Sequence, residues 1–197
     1  MLGHPFLDPD TALSIVRKRK QLTSVLIPPS RTMAEITVHV PPSNLVSYEI
    51  LKEKLHQLHE RGLMDAGLVL VQTHPPSSVP ILQGYISQSE LEFGLTKLIP
   101  SSFPADLQVR VLGSQIDSAE GTAPESLEVD LTPFVDRTPL TICAKAPLEY
   151  AVEMFSKLGL RYLMVTDEGT GKLVGVILKK RLVGYLEHLR EHGEGDA

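Results

Sequence analysis

The sequence predicts an α/β (α+β) fold in which two β-α-β-β-α repeats pack pseudo-symmetrically. The main observation is a pattern that occurs twice: an apolar strand, a second strand that contains a glycine followed by apolar residues, and a short amphipathic helix. The copies read LVLVQ and VPILQGYISQSELEFGL over residues 68–72 and 79–95, and YLMVT and KLVGVILKKRLVGYL over residues 162–166 and 172–186. Gly84 corresponds to Gly175, and Leu91 corresponds to Leu182. Two copies of one unit, each with an apolar face, are expected to bury those faces against each other.

Composition excludes several classes of protein. The chain has 197 residues, 42% of them hydrophobic, which suits one compact domain or two small ones. A formal charge of −5 argues against nucleic-acid binding, because nucleic-acid-binding domains have a net basic surface. No run of about 18 apolar residues and no secretory signal is present, so a soluble chain is expected. The single cysteine, Cys143, lies in the apolar-leaning stretch LTICA, which predicts a buried thiol in a reducing compartment.

The first repeat begins with a strand and a helix. ITVHV, over residues 36–40, alternates apolar and polar residues as a strand does, and PPS turn signals flank it. Apolar residues at spacings of three, four and five predict a helix over 44–61. Ser43 or Asn44 is expected to cap its start, and Gly62 is expected to end it.

The rest of the first repeat is predicted to be two strands and a second helix. LVLVQ has the near-continuous apolar character of a strand that is buried on both sides of a sheet. The loop THPPSSVP separates it from the strand that contains Gly84. A helix follows, with Leu91 and Leu95 predicted to face inward.

The second repeat follows a different kind of segment. Residues 100–128 are rich in Ser, Gly and Pro, which predicts a partly disordered linker with one apolar island, VRVLG. A strand, LTIC, then precedes a helix that begins at Pro147 and ends at Gly159. Its predicted inward face is Leu148, Ala151, Val152, Phe155 and Leu158. YLMV, the turn DEGTGK, KLVGVIL and a last helix from Lys179 to about Arg190 complete the pattern.

These elements predict five regions: an N-terminal linker, repeat 1, an inter-repeat linker, repeat 2 and a tail. They cover residues 1–33, 34–99, 100–128, 129–192 and 193–197. A basic cluster, Arg17 to Lys20, lies in the first region. It could contact anionic lipid headgroups, but a solvated charge run is the simpler interpretation.

Several short motifs resemble a known family. GHPFLD (3–8) lies near the start, LTPF (131–134) opens the second repeat, and FSKLGLRYLMVT (155–166) and GKLVGVILKK (171–180) lie within it. In these motifs and in its tandem repeats, the chain resembles the CBS-domain pair of the cytoplasmic C-terminal region of eukaryotic, fungal-like CLC chloride channels and chloride/proton exchangers. The resemblance covers almost the whole chain and is strongest in the second repeat.

The resemblance implies a cytoplasmic regulatory and dimerisation module that modulates chloride transport, with no enzymatic activity and no required cofactor. Its partners would be the membrane domain of the same chain, which precedes the linker at 1–33, and a second subunit in a homodimer. The module would lie at the cytoplasmic face of an endomembrane or the plasma membrane. ATP, ADP or AMP could be a regulatory ligand, since CBS pairs commonly hold adenine nucleotides in the clefts between repeats.

The resemblance also implies candidate nucleotide-binding positions. Members of the family that bind ATP or ADP share a threonine in the first strand of a repeat, an aromatic residue before the second strand, and an aspartate after the two lysines of the last helix. Thr37 and Thr141 occupy the strand positions. The aromatic position falls on Asp65, followed by Ala66 and Gly67. Asp65 offers no ring that could stack on adenine.

The remaining candidates lie at the starts of the last helices. Lys180 is followed by Arg181, where the family has its aspartate, and Glu90 is the acidic residue at the equivalent point of the first repeat. Arg181 has donors but no acceptor for a ribose hydroxyl, so it is expected to pair with a phosphate or with Asp65. An Asp65–Arg181 ion pair would make the chain insensitive to nucleotide, although a nucleotide beside Glu90 stays an open alternative.

Two other functions stay open. One is an adenine-nucleotide-sensing CBS subunit of a cytosolic enzyme or kinase complex, and the other is a catalytic α/β domain. The second needs a polar constellation, yet the sequence has no phosphate-binding loop, dinucleotide fingerprint or Cys-x-x-Cys motif. His188 and His192 have a spacing that could hold a metal, but a charged helix end explains them. We therefore expect neither catalytic residues nor a metal site.

Overall fold

The computed structural model describes residues 8–63, 65–113 and 128–193. Helices are interspersed with single strands and pairs of strands along the chain, which confirms the predicted α/β (α+β) class. In chain order the elements are α1 (Pro9–Arg19), a 3-10 helix (Thr23–Leu26), α2 (Ser30–Ile36), β1 (Thr37–His39), β2 (Leu45–Ser47), α3 (Tyr48–Glu60), β3 (Gly67–Gln72), β4 (Ile81–Ser87), α4 (Gln88–Lys97), β5 (Gln108–Arg110), β6 (Glu128–Asp130), a second 3-10 helix (Thr132–Phe134), β7 (Thr141–Cys143), α5 (Leu148–Leu158), β8 (Tyr162–Thr166), β9 (Leu173–Leu178) and α6 (Lys179–Gly193).

These elements form two compact units. The central unit lies within Ser30–Pro139, and the terminal unit combines parts of Met1–Pro29 and Leu140–Ala197. Each unit has a three-stranded sheet, with the order β1-β3-β4 in the central unit and β7-β8-β9 in the terminal unit. In both sheets, the first two strands are parallel and the last two are antiparallel. The central unit has a second sheet with the order β2-β5-β6.

The two main sheets share one strand register, which confirms the predicted repeat. Gly84 lies opposite Leu70 in the central unit, and Gly175 lies opposite Val165 in the terminal unit. In each sheet the register shifts immediately after that pair, so even the irregularity is repeated. Leu91 is fully buried, as predicted for the inward face of α4.

Three local predictions were wrong, and a fourth region was tested only in part. The helix predicted over 44–61 begins at Tyr48, because Asn44 has a positive φ of 64° and the next three residues form β2. Leu158 is 59% exposed, since it lies in the last turn of α5 beyond the buried stripe. Cys143 is half-buried rather than buried, at the end of the edge strand β7. The apolar island in the predicted linker is the ordered strand β5, and residues 114–127 lie outside the described residues.

The units differ most from the predicted ranges where each repeat begins. LTSVL at 22–26 and LTPFV at 131–135 are similar words that each form a 3-10 helix. The first lies in the terminal unit, where Leu26 is buried in the core with Leu182, and the second lies in the central unit, where Leu131 contacts α4 at Gly94. Residues 22–26, which precede repeat 1, therefore pack in the unit that contains the sheet of repeat 2. Residues 131–135, which begin repeat 2, pack in the unit that contains the sheet of repeat 1. We call both stretches opening segments; the one that Arg181 contacts is the first, with its flanking residues 21 and 27.

Candidate functional site

The two threonines predicted for the site lie on edge strands. Thr37 starts β1, and Thr141 starts β7, at the outer edge of each main sheet. Thr37 is half-buried, and its Oγ1 donates a hydrogen bond to the carbonyl oxygen of Met33 at 2.6 Å. Thr141 is exposed. The hydroxyl of Thr37 is thus oriented by α2 and keeps its acceptor capacity.

A groove with a volume of about 410 Å³ lies beside β1 in the central unit. Its lining combines apolar and polar side chains, among them Thr37, His39, Ile50, Lys54 and Gln108. The volume is in the range of small-molecule sites. Of the predicted site residues, Thr37 lines this groove.

Lys54 holds one wall of the groove in place. Its Nζ donates to the carbonyl oxygens of Ala34 at 2.6 Å and Glu35 at 3.2 Å, at the end of α2. A cation there neutralises the partial negative charge of the last carbonyl groups of the helix. Burial lowers the pKa of the Lys54 ammonium, and the nearby Glu35 carboxylate opposes that shift. Lys54 thus fastens α3 to α2.

The segment Asp65 to Gly67 carries no side chain that could stack on a base. Asp65 is exposed and Ala66 is buried. A Cβ on Gly67 would lie 2.1 Å from the carbonyl oxygen of Ile86 and 2.7 Å from Cζ of Tyr85, so no side chain fits there. The ring of Tyr85 fills this space from β4, and burial, together with the Glu90 charge, raises the pKa of its hydroxyl.

An aromatic residue that the sequence reasoning missed lies at the same register position in the terminal unit. Tyr162 starts β8 opposite Leu178, as Gly67 starts β3 opposite Ser87. The signal was present in the sequence, since an aromatic residue directly begins the second strand of repeat 2.

Glu90 is committed to the start of its own helix. Its Oε2 accepts from the Ser87 backbone N–H at 3.3 Å and from the Ser87 hydroxyl at 2.6 Å, while its own N–H donates to Ser87 Oγ at 3.3 Å. This reciprocal pair is a capping box. The carboxylate therefore satisfies groups at the start of α4 that would otherwise lack a partner.

Arg181 has partners that the sequence did not predict. In the terminal unit, its Nε donates to the carbonyl oxygen of Leu26 at 2.9 Å, and its Nη2 donates to that of Ile27 at 3.3 Å. The acceptors are backbone carbonyls of the opening segment rather than a phosphate or a carboxylate. The preceding Lys180 is exposed. Since Asp65 belongs to the central unit, the Asp65–Arg181 ion pair stays a prediction.

The segment that Arg181 holds is also bonded to the loop before α5. Thr23 donates to the carbonyl oxygen of Ala146 through both its N–H, at 2.8 Å, and its hydroxyl, at 2.9 Å. Ser24 N–H donates to Ala144 at 3.1 Å, and Leu148 N–H donates to Gln21 at 2.9 Å. Arg181 is thus one of several links that fix the opening segment in the terminal unit.

Other chemistry has little support in the described part of the chain. Over residues 8–63, 65–113 and 128–193, no group of three or more His, Cys, Asp or Glu could hold a metal ion. His188 and His192 lie with their rings 4.1 Å apart near the end of α6. None of the helices in these ranges combines the length and apolar character needed to span a membrane.

Comparison with known proteins finds similarity over part of the chain. Residues 130–188 match the family model of the CBS domain. The chain is 38% identical to H(+)/Cl(-) exchange transporter 3 of Homo sapiens over 56 residues, which are 28% of this chain and 7% of the transporter. It therefore spans a small part of the curated relatives that it matches.

Solved structures resemble the fold over most of the chain. A putative acetoin utilization protein, AcuB, from Vibrio cholerae has a TM-score of 0.51 at 14% identity, over 90% of this chain and 98% of that one. CBSX2 in complex with AMP has a TM-score of 0.49 at 18% identity, over 86% of this chain and 98% of that one. Residues 130–188 match the CBS domain, the chain has two β-α-β-β-α repeats with the fold of a CBS-domain pair, and a stretch of 56 residues is similar in sequence to H(+)/Cl(-) exchange transporters.

Proposed function

We propose that the chain is the regulatory and dimerisation module of a CLC-type chloride channel or chloride/proton exchanger. The observation that carries this proposal is the 38% identity to an exchange transporter over 56 residues, in a chain whose residues 130–188 match the CBS domain. In this proposal the chloride pathway belongs to a membrane domain of the same polypeptide. The module acts from the cytoplasmic face and pairs with a second copy.

The proposed role is regulation without catalysis. Two of the candidate polar side chains, Glu90 and Arg181, make hydrogen bonds that hold backbone segments in place. A group used in this way supports a shape rather than a reaction. A change in how firmly the opening segment is held would be the signal passed to the membrane domain, because that segment lies at the N-terminal side of the module.

The test is a transport measurement on the full-length protein reconstituted in liposomes. Arg181→Ala removes both bonds to the opening segment and is expected to change chloride flux at least about twofold, the effect of roughly 0.4 kcal/mol on a two-state equilibrium. Arg190→Ala is the matched control, since Arg190 is an exposed arginine on the same helix. It should leave the flux unchanged.

Two results would contradict the proposal. One is a full-length polypeptide that has no membrane domain or does not transport chloride, which would favour the alternative of a CBS subunit in a cytosolic enzyme or kinase complex. The other is equal flux in the wild type and in Arg181→Ala at equal protein amount.

A second candidate function, adenine-nucleotide sensing, is favoured by the groove of about 410 Å³ beside Thr37. The groove suits a nucleoside phosphate in size, and Thr37 is a position implied by the resemblance. Calorimetric titration with ATP, ADP and AMP tests it. Binding should be weakened by Thr37→Val and unaffected by Thr141→Val, the equivalent change in the other unit. Absence of binding by the wild type at millimolar nucleotide would exclude this function.

A further inference from the structure

The end of α1, the opening segment and the start of α5 place unpaired cations beside exposed apolar side chains. We call this the basic–apolar surface, and all its members lie in the terminal unit: Lys18, Arg19, Lys20, Lys145, Leu22, Val25 and Tyr150. Leu22 is 46%, Val25 41% and Tyr150 53% exposed. Three large apolar side chains near four cations are more than a solvated charge run.

The three segments that carry this surface are close in space. A shallow groove of about 210 Å³ is lined by Lys20 and Leu22 on one side and by Pro147 on the other. Hydrogen bonds from Thr23 and Ser24 to the loop 144–146 place the opening segment beside Lys145. Tyr150 N–H donates to the carbonyl oxygen of Pro147 at 3.1 Å, which fixes the tyrosine in the first turn of α5.

The charge of the surface is positive although the chain is acidic. Arg17 pairs with Glu149 at 3.0 Å and with Glu153 at 3.5 Å, and Lys157 lies 2.9 Å from Glu153. The nearby carboxylates are therefore neutralised. Within the described ranges, Lys18, Arg19, Lys20 and Lys145 have no carboxylate at ion-pair distance. The local charge thus opposes the formal net charge of −5.

Helix stability accounts for only part of this arrangement. Cations in the last turn of α1 are favourable for the helix dipole, but that effect gives no reason for Leu22 and Val25 to be exposed beside them. An anionic bilayer accounts for both features, because its headgroups attract Lys and Arg while Leu and Tyr insert at the interface. The phosphates of a nucleic acid would attract the cations, but a nucleic acid would leave the aliphatic side chains exposed to solvent.

We propose that the basic–apolar surface binds the surface of an anionic phospholipid bilayer, with Lys18, Arg19 and Lys20 on the headgroups and Leu22 and Val25 at the interface. The inference depends on the terminal unit alone. It would hold whether or not the chain regulates a chloride transporter.

Vesicle co-flotation of the purified chain tests the proposal. The chain is expected to bind vesicles of phosphatidylcholine with about 30% phosphatidylserine and to bind pure phosphatidylcholine at least ~10-fold less. Raising the salt to about 1 M should weaken binding, because the Debye length falls to ~3 Å. Lys18→Gln/Arg19→Gln/Lys20→Gln should reduce the affinity about 100-fold.

The matched control is Lys97→Gln/Arg137→Gln/Lys172→Gln, which removes two lysines and one arginine, all exposed, outside the surface. Its binding should equal that of the wild type. Leu22→Ser/Val25→Ser should lower the affinity for both vesicle types and leave the salt dependence in place. Circular dichroism melts confirm that each variant is folded.

Three outcomes would overturn the proposal. These are equal binding to the two vesicle types, equal losses in the triple variant and its control, and vesicle binding that is unaffected by the triple variant. If the wild type bound polyglutamate but not anionic vesicles, the surface would be a site for an acidic protein, and the lipid proposal would be wrong.

Discussion

The starts of α4 and α6 are equivalent positions in the two repeats, but they are stabilised in opposite ways. At α4, Glu90 folds back onto Ser87, three residues away. At α6, Arg181 reaches the carbonyl oxygens of Leu26 and Ile27, which are 155 and 154 residues away in sequence. One solution is local and the other is tertiary. The comparison shows that one backbone unit accepts opposite charges at the same site when each charge meets a complementary group.

The sheets show a second contrast of this kind. In the central unit a glycine starts β3 and a tyrosine, Tyr85, fills the space over it from β4. In the terminal unit Tyr162 starts β8, and the position equivalent to Tyr85 is Val176. The large side chain has changed strands between the repeats, and the small one has changed with it. Packing density is preserved when both members of a pair change together.

The largest expected effect on stability comes from replacing a closely packed glycine of either main sheet with alanine. Gly67→Ala puts a Cβ 2.1 Å from a backbone oxygen, which cannot move without shifting β4, and should cost about 3 kcal/mol of unfolding free energy. Gly175→Ala meets Cγ2, Cγ1 and Cβ of Ile27 at 2.7, 2.9 and 3.2 Å, and because a β-branched side chain cannot rotate away from such a contact, the backbone of Ile27 must shift, at a cost of about 2 kcal/mol. Urea unfolding measures both.

Gly184→Ala is the control for these two substitutions, because nothing lies within 4 Å of its Cβ position on α6. It should stabilise the chain by about 0.5–1 kcal/mol through helix propensity. An equal loss of unfolding free energy for Gly67→Ala and Gly175→Ala would contradict the prediction, because it would show that the two sheets tolerate an added methyl group equally well.

The next effect concerns the tertiary link. Arg181→Ala should lower the unfolding free energy by about 2 kcal/mol, because it removes hydrogen bonds from a charged donor to two carbonyl oxygens. Hydrogen exchange should accelerate over residues 21–27. If exchange rose equally across the whole terminal unit, Arg181 would not be a specific link to the opening segment.

The capping box at the start of α4 should contribute less to the unfolding free energy than the hydrogen bonds of Arg181. Glu90→Ala is expected to cost about 1 kcal/mol, the usual value of a capping interaction, with faster exchange confined to the first turn of α4. Glu90→Gln should keep part of the stability, since glutamine also completes a capping box. Combined with Ser87→Ala, the loss should be less than additive because one interaction is removed twice. Additive losses of unfolding free energy would show that the Ser87 and Glu90 side chains do not stabilise the helix through a shared interaction.

The smallest effect at neutral pH belongs to Tyr85. Its pKa in the folded chain is raised by burial and by the Glu90 charge, so its contribution to stability is fully present below the unfolded value, about 10, and is lost as the pH rises above it. Urea unfolding at increasing alkaline pH should show this loss. Tyr85→Phe should remove that part of the pH dependence, and an unchanged alkaline loss in the variant would assign it to other groups.

Local patterns predicted much of the fold. The β-α-β-β-α order, the helix after Gly84 and the buried Leu91 depend on spacing within a few turns or strand residues, so sequence periodicity was sufficient. The start of α3 was missed because Asn44 takes a positive φ and the following residues pair with β5, more than sixty residues later. Such a strand has no local signature.

The candidate site divides in the same way. The arginine at 181 was identified from the family resemblance and the acidic residue at 90 from its equivalent place in the first repeat, and S-x-x-E is itself a local capping signal. The acceptors of Arg181 could not be read from the sequence, since carbonyl oxygens are present at every residue and only packing selects two of them.

The sequence by itself determined the repeated unit, most positions of its inward faces and the charge reversal between Glu90 and Arg181. The tertiary structure decided that each opening segment packs in the unit that contains the sheet of the other repeat, and that Arg181 holds one of them. Periodicity specifies which side of an element is apolar, but it does not specify which apolar surface will cover that side. That choice depends on shape and on hydrogen bonds between residues far apart in the chain.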